Sequence, residues 1–238
     1  MSYKNIFARY ETKYIITPAQ QAFIRSELKD KIRDDEYGKS LICNLYYDTP
    51  DFRLIRRSIE KPVYKEKLRV RSYGAVGANG TVFAEIKKKY EKTVYKRREA
   101  MTSREAQILL EKGLAPRSTQ IIRELNYART FYGELEPRMF ISYNREAFFG
   151  VDDPDFRLTF DTDVIARNYD LTLAKGAYGT ELTDRNTVLM EIKTGNAIPF
   201  FMLDVIKKLG IYPASFSKYG AAYTTMLNDN YKGGLNYA

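Results

Sequence analysis

The chain has 238 residues, 44% of them hydrophobic and 29% charged, a composition expected of a soluble globular unit and not of a disordered tail. Lys plus Arg number 39 against 30 for Asp plus Glu, a net +9 that favours anionic partners: nucleic acid, phosphorylated metabolites or an acidic membrane surface. With no histidine and a single cysteine, Cys43, the sequence excludes a Ser-His-Asp triad, a Cys-His dyad, an HExxH zinc site, an internal disulfide and a four-cysteine metal site, which leaves chemistry to Lys, Arg, Asp, Glu, Tyr and a hard metal ion.

Residues 9–16 alternate as a strand. Thr17 and Pro18 then open a helix that runs to about Ile32, with Thr17 as N-cap and Pro18 at the first position. Strands are expected at 40–47 and 63–73, separated by a short helix over 51–59. The loop 74–80 (GAVGANG) joins 63–73 to 81–90 as a hairpin, and 93–100 is the next strand. That loop is not a P-loop, because no Lys-Ser/Thr follows it and it connects two strands. Helices follow at 103–113 and 120–132. Strands return at 138–148, 156–164 and 187–194, and helices close the pattern at 200–209 and 217–227. These are eight strand candidates, mostly joined too tightly for parallel crossovers, so the expected sheet is antiparallel within an α+β fold. There is no repeat or long linker, so residues 1–238 read as one domain with a loose polar tail at 228–238. The N-terminus lacks an apolar targeting core, and the longest apolar stretch, 197–206, contains Asp204 and is too short to span a bilayer. A cytoplasmic location is the expectation.

Residues two apart on a strand share a face. Lys67, Arg69 and Arg71 therefore lie opposite Leu68 and Val70. Glu85 and Lys87 lie opposite Ala84 and Ile86, and Glu191 and Lys193 opposite Met190 and Ile192. Arg157, Thr159 and Asp161 align, as do Arg9, Glu11 and Lys13, and Lys96 with Arg98. A solvated charged face accounts for any one of these strands. Six strands with the same basic bias need more, because like charges on neighbouring strands repel. A multivalent anion such as triphosphate or polyphosphate compensates such a face. Either an open sheet grips nucleic acid, or the sheet closes into a barrel with its apolar face outward under helices and its charged face lining a lumen.

The stretches RYETKYIIT (from Arg9), LYYDT (from Leu45), KLRVRSYG (from Lys67), FAEIKKK (from Phe83), VYKRRE (from Val94), YNREAF (from Tyr143), FRLTFDTD (from Phe156), VLMEIKTG (from Val188) and SFSKYG (from Ser215) resemble the VTC branch of the triphosphate tunnel metalloenzyme, or CYTH-like, superfamily. That branch contains polyphosphate polymerase domains. The resemblance implies a closed eight-stranded antiparallel β-barrel with helices packed outside. It implies that Arg69, Arg71, Lys87, Lys96, Arg145 and Arg157 act on the reacting phosphates. Lys13, Lys67, Arg98, Lys193, Ser217 and Lys218 are implied as further phosphate contacts, and Glu191 as the ligand of Mg²⁺ or Mn²⁺. Related cyclases and thiamine triphosphatases begin with ExExK. Here that spacing reads Arg9-x-Glu11-x-Lys13, which favours the VTC-like branch.

The expected activity is metal-dependent transfer of the γ-phosphoryl group of ATP to a polyphosphate chain. Hydrolysis of inorganic or nucleoside triphosphate, with Glu11 or Glu85 as base, is the alternative enzyme reading. A non-catalytic polyphosphate or RNA binder is a third, although no RNP-like run is present and nucleic acid is not the expected partner. Glu85 and Lys87 also read as a plain charge pair, Glu191 as a partner for Arg157, Asp161 as a turn cap or metal contact, and Tyr143 as packing.

Overall fold

The structure, a computed structural model, describes residues 6–91, 93–195 and 197–227; the tail at 228–238 and the side chain of Arg9 lie outside that set. The elements in chain order are β1 (Ile6–Ile16), α1 (Pro18–Glu27), β2 (Ile32–Asp48), α2 (Arg53–Ile59), β3 (Tyr64–Tyr73), β4 (Thr81–Tyr90), β5 (Thr93–Thr102), α3 (Ser103–Lys112), α4 (Gln120–Tyr132), β6 (Glu136–Gly150), β7 (Arg157–Arg167), β8 (Thr180–Glu181), β9 (Val188–Thr194), α5 (Phe200–Leu209) and α6 (Lys218–Met226). All strands belong to one sheet ordered β6-β2-β3-β4-β5-β1-β9-β7-β8, and β6 pairs with β7 as well. Every pairing is antiparallel. The expected antiparallel sheet with helices against it is present, but the described residues form nine strands, not eight. The additional strand, β8, is two residues long and pairs only with Ile165 and Ala166 of β7, too short to leave a period-two signal.

Several boundaries differ from the sequence expectation, two of them with a clear local cause. Helix α1 stops at Glu27, and the backbone N–H groups of Lys31 and Ile32 turn back onto the carbonyl of Leu28. Ile32 therefore opens β2, whose charged first half pairs with the end of β6 through a register shift between Asp34 and Lys39. Helix α2 starts at Arg53, because Phe52 adopts a left-handed conformation (φ 60°). The Asp48 carboxylate accepts from the N–H groups of Leu54 and Ile55 and from the hydroxyl of Tyr219. Elsewhere the local signals hold. Thr17 with Gln20 and Thr102 with Glu105 form capping boxes, and Gly113 ends α3 at φ 75°.

The alternation on each strand separates two environments. Cys43, Leu45 and Tyr47 of β2, Leu68 and Val70 of β3, and Ala84 and Ile86 of β4 pack against Leu109, Ile122 and Leu125 of α3 and α4. Tyr14 and Ile16 of β1, Leu158 and Phe160 of β7, and Met190 and Ile192 of β9 pack against Ile24 of α1 and Met202 and Val205 of α5. Each fully buried Leu or Ile contributes on the order of 1.5–3 kcal/mol of transfer free energy. A third cluster joins Ile42 and Tyr46 of β2, Met139 and Ile141 of β6 and Val164 of β7 to Ile55 of α2 and Tyr219 of α6. With the first two clusters covered by helices, the charged residues are left to the opposite face of the strands. Among the described residues no helix is long and apolar enough to cross a membrane.

Candidate functional site

The register aligns the charged residues directly across neighbouring strands. Lys67, Lys87 and Lys96 are partners across β3, β4 and β5, and Arg69, Glu85 and Arg98 are partners one same-face step further on. Across β7, β9 and β1 the partners are Arg157, Lys193 and Glu11, then Thr159, Glu191 and Lys13.

Glu85 is the hub of the first group. It is 1% exposed, and its carboxylate accepts from Arg69 Nε at 2.7 Å and pairs with Lys96 at 2.6 Å and Arg71 at 3.9 Å. Burial opposes its ionisation, but Arg71, Lys96 and Arg69 outweigh burial and hold its pKa well below the usual carboxylate range. Lys87 reaches Glu11 at 2.6 Å. Arg69 also donates to the Tyr46 hydroxyl at 3.1 Å, and Arg71 to Asn44 Oδ1 at 3.0 Å and the Tyr143 hydroxyl at 3.4 Å.

A second group forms where α6 meets β6 and β7. Arg145 grips Asp161 with two bonds of 2.6 and 2.7 Å, and Lys218 reaches the same carboxylate at 2.6 Å. Lys67 donates to Ser217 Oγ at 2.7 Å, the same oxygen that caps α6 by accepting from the Gly220 N–H. Lys13 donates to the Phe216 carbonyl at 2.9 Å. The ammonium of Lys218 lies 4.3 Å from the Tyr143 ring centroid.

The other expected residues sit at the edges of these groups. Arg157 donates to Asp35 at 2.9 Å, and among the described residues Glu191 pairs with Lys193 at 3.5 Å and not with Arg157. Arg98 places its guanidinium 4.9 Å over the Phe83 ring. Asp161 accepts from Arg145 and Lys218 through both its oxygens. Tyr143 packs in the third cluster, as expected, and also stands among Arg71, Arg145 and Lys218; Asn44 and Tyr46 were not singled out at all. The signal for those two was available: in LICNLYYD they alternate with Cys43, Leu45 and Tyr47 and fall on the face that Arg69 and Arg71 share.

Burial, and after it neighbouring cations, shifts the lysines downward. Burial, reinforced by Arg71 and Arg69 against the pull of Glu85, lowers Lys96 to about 7. Burial and Lys87 lower Lys13 to about 8 despite Glu191 and Glu11. Burial and the neighbouring Lys13, Lys87, Lys65 and Arg69 take Lys67 well below its usual value. Burial favours the neutral phenol of Tyr143, yet Arg145 and Arg71 bring it down to about 8. The face is thus short of negative charge.

The family resemblance implies a divalent metal, and the donor set bears on it. Glu85, Glu11 and Asp161 each have a cation within 2.7 Å. Glu191 is the least committed inward carboxylate. Burial opposes its ionisation, but Lys193, Lys13, Lys87 and Arg145 keep it well below the ordinary range, so it is available as an anionic oxygen donor. Among the described residues no three His, Cys, Asp or Glu side chains group as a metal cage. The donors fit a hard cation that takes one protein carboxylate and draws its remaining ligands from bound phosphate, and they do not fit a cage built by protein alone.

Architecture and site together define an antiparallel-sheet protein with a buried polar face rich in cations. The VTC domain profile matches residues 8–227, and the chain belongs to that family. Comparison with curated proteins gave no match. Among solved structures, a putative adenylate cyclase from Bacillus halodurans is similar with a TM-score of 0.58 at 16% identity, covering 90% of this chain and 95% of its own. A putative adenylyl cyclase from Hippeastrum, described as having a dominant triphosphatase activity, gives 0.60 at 17%, covering 92% and 97%. At these identities the likeness is one of fold.

Proposed function

We propose that this VTC domain encloses a linear phosphate chain in a closed tunnel of eight strands and transfers the γ-phosphoryl group of ATP to the end of polyphosphate. The carrying observation is the surplus of half-buried cations over carboxylates on the inner faces of β1, β3, β4, β5, β6, β7 and β9, with Lys13, Lys67 and Lys96 lowered in pKa first by burial and then by neighbouring cations. A multivalent anion relieves the repulsion between those cations. The circuit of pairings through β1, β5, β4, β3, β2, β6, β7 and β9 supports enclosure.

In the transfer, a terminal phosphate oxygen of the acceptor attacks the γ-phosphorus of ATP. The bond from that phosphorus to the β,γ-bridging oxygen breaks, and ADP leaves. The attacking oxygen is already anionic, so no proton need be removed, which suits a chain without histidine. Arg69, Arg71, Lys87, Lys96, Arg145 and Arg157 align the reacting phosphates and offset charge on their equatorial oxygens. Lys13, Lys67, Arg98, Lys193, Ser217 and Lys218 extend the grip to the flanking phosphates. Glu191 is the residue to hold Mg²⁺ or Mn²⁺, which when bound supplies further charge neutralisation.

Hydrolysis would instead need a base to activate water. Glu85 is a poor one, since its pKa is held far down by Arg71, Lys96 and Arg69, and Glu11 is tied to Lys87. The test is incubation of the full chain with labelled ATP and Mg²⁺ or Mn²⁺, with gel separation of products. A ladder of lengthening polyphosphate that disappears in Glu191→Gln is the expected result. Orthophosphate without chain growth overturns the transferase reading in favour of hydrolysis. Tight tripolyphosphate binding without turnover leaves a binding module.

A further inference from the structure

Strand β2 differs from its neighbours on the inner face. β3, β4 and β5 carry charge there, whereas the same face of β2 carries Ile42, Asn44 and Tyr46, none of them charged. The register sets Asn44 directly opposite Arg71 and Tyr46 directly opposite Arg69. Side chains paired across antiparallel strands are close enough to interact, and both pairs do. Asn44 Oδ1 accepts from Arg71 Nε at 3.0 Å, and the Tyr46 hydroxyl accepts from Arg69 Nη1 at 3.1 Å.

Each acceptor is itself held. Asn44 is buried, and its Nδ2 donates to the Ile141 carbonyl of β6 at 3.1 Å, which settles which end of the amide faces Arg71. The Tyr46 ring stacks on Tyr219 of α6, with centroids 4.6 Å apart and planes at 25°, and Tyr219 donates to the buried Asp48. A guanidinium is planar, so a bond at one of its nitrogens limits how the whole fork can turn. Glu85 takes the Nε of Arg69 at 2.7 Å but stands 3.9 Å from that of Arg71, where Asn44 supplies the shorter contact. An amide or a phenol orients a cation without cancelling its charge, whereas a second carboxylate would do both.

We propose that Asn44 and Tyr46 are positioning residues for the phosphate chain, Asn44 acting through Arg71 and Tyr46 through Arg69. In this role neither side chain touches phosphate. Arginine recognises phosphate by the geometry of its N–H fork as well as by charge. A guanidinium that loses its neutral anchor keeps its charge and loses its aim. The same division of labour explains why the strand between β3 and β6 contributes acceptors and no cations to this part of the face.

The inference rests on the phosphate-site reading above, and the experiment separates the two. Inorganic tripolyphosphate is titrated calorimetrically into the full chain as wild type, Asn44→Ala, Arg71→Ala and the double variant, with urea unfolding of each. Asn44→Ala is expected to weaken binding about three- to tenfold when Arg71 is present and to change it little when Arg71 is already Ala. An equal loss in both backgrounds means that Asn44 supports the fold and not Arg71, and overturns its positioning role; so does no loss at all. A second cycle pairs Tyr46→Phe with Arg69→Ala and is read in the same way for Tyr46. Tyr46→Phe removes one oxygen and keeps the ring on Tyr219, so this cycle decides the proposal if Asn44→Ala does not fold. If Arg71→Ala and Arg69→Ala both bind tripolyphosphate as wild type does, the phosphate-site reading fails at these arginines and the positioning role falls with it.

Discussion

Glu85 concentrates the electrostatics of the site in one side chain. It is the counter-ion of Arg69, Lys96 and Arg71 at once. Removing one member of a buried ion cluster leaves uncompensated charge, and such losses run to about 3–5 kcal/mol. Glu85→Gln is therefore expected to lower unfolding stability in urea by about 3 kcal/mol, with added tripolyphosphate restoring part of it. Wild-type stability in that variant would show that the cluster carries no such strain. The lysines set a pH dependence. Folded Lys96 releases its proton near pH 7, and the unfolded chain near 10.5. Between those values the unfolded state binds more protons, so stability of the ligand-free protein rises with pH. Phosphate binds the protonated amine, so binding takes up protons and tripolyphosphate affinity falls from about pH 7 to pH 9. Calorimetry in buffers of different ionisation heat reads that uptake directly. The basic strand residues were legible because alternation assigns each to a face. For Tyr143 only the packing half was legible, because an aromatic on a strand reads as core; it does pack there, and its contacts with Arg71 and Lys218 add the rest.

Helix α6 brings Ser217 and Lys218 to the strands, and its placement depends on a residue with no expected phosphate contact. Asp48, buried at the end of β2, accepts from the N–H groups of Thr49, Leu54 and Ile55 and from Tyr219 of α6. One carboxylate thus caps α2 and ties it to α6. Asp48→Ala is expected to cost about 3 kcal/mol or more and, by loosening α6, to weaken tripolyphosphate binding. Thermal unfolding and titration of the same variant check both effects, and normal binding despite lost stability would separate α6 from the site. The start of α6 was legible from Ser217, which caps it. The start of α2 was misplaced because Thr49-Pro50 resembles a helix opening, whereas Phe52 in a left-handed turn delays it to Arg53. The end of α1 was misplaced because no proline or glycine marks it; Leu28 ends it by burial and by accepting the turn's backbone hydrogen bonds.

For the whole molecule, the prediction is linkage. A ligand that binds the folded state alone, at a hundred times its dissociation constant, adds about 2.7 kcal/mol of stability. In a chain of this size that raises the melting temperature by about 5–10 °C. Tripolyphosphate is expected to do this and an equal ionic strength of sodium chloride is not; equal shifts from the two would remove the case for a specific polyanion site. The antiparallel character and the helix-covered outer face were readable because period-two alternation on the strands and capped helices agree with one another. Strand neighbours were not readable. Nothing in the local pattern of β1 announces that it lies between β5 and β9.

That placement of β1 governs how the chain is made. Lys13 meets Glu191 about 180 residues later, so the first strand synthesised waits for one of the last before it has both neighbours. During synthesis its β9-facing edge is an open template for any other nascent chain. A ribosome-bound chain halted before Val188 is expected to aggregate, and one carried past Thr194 to become protease-resistant in a single late step.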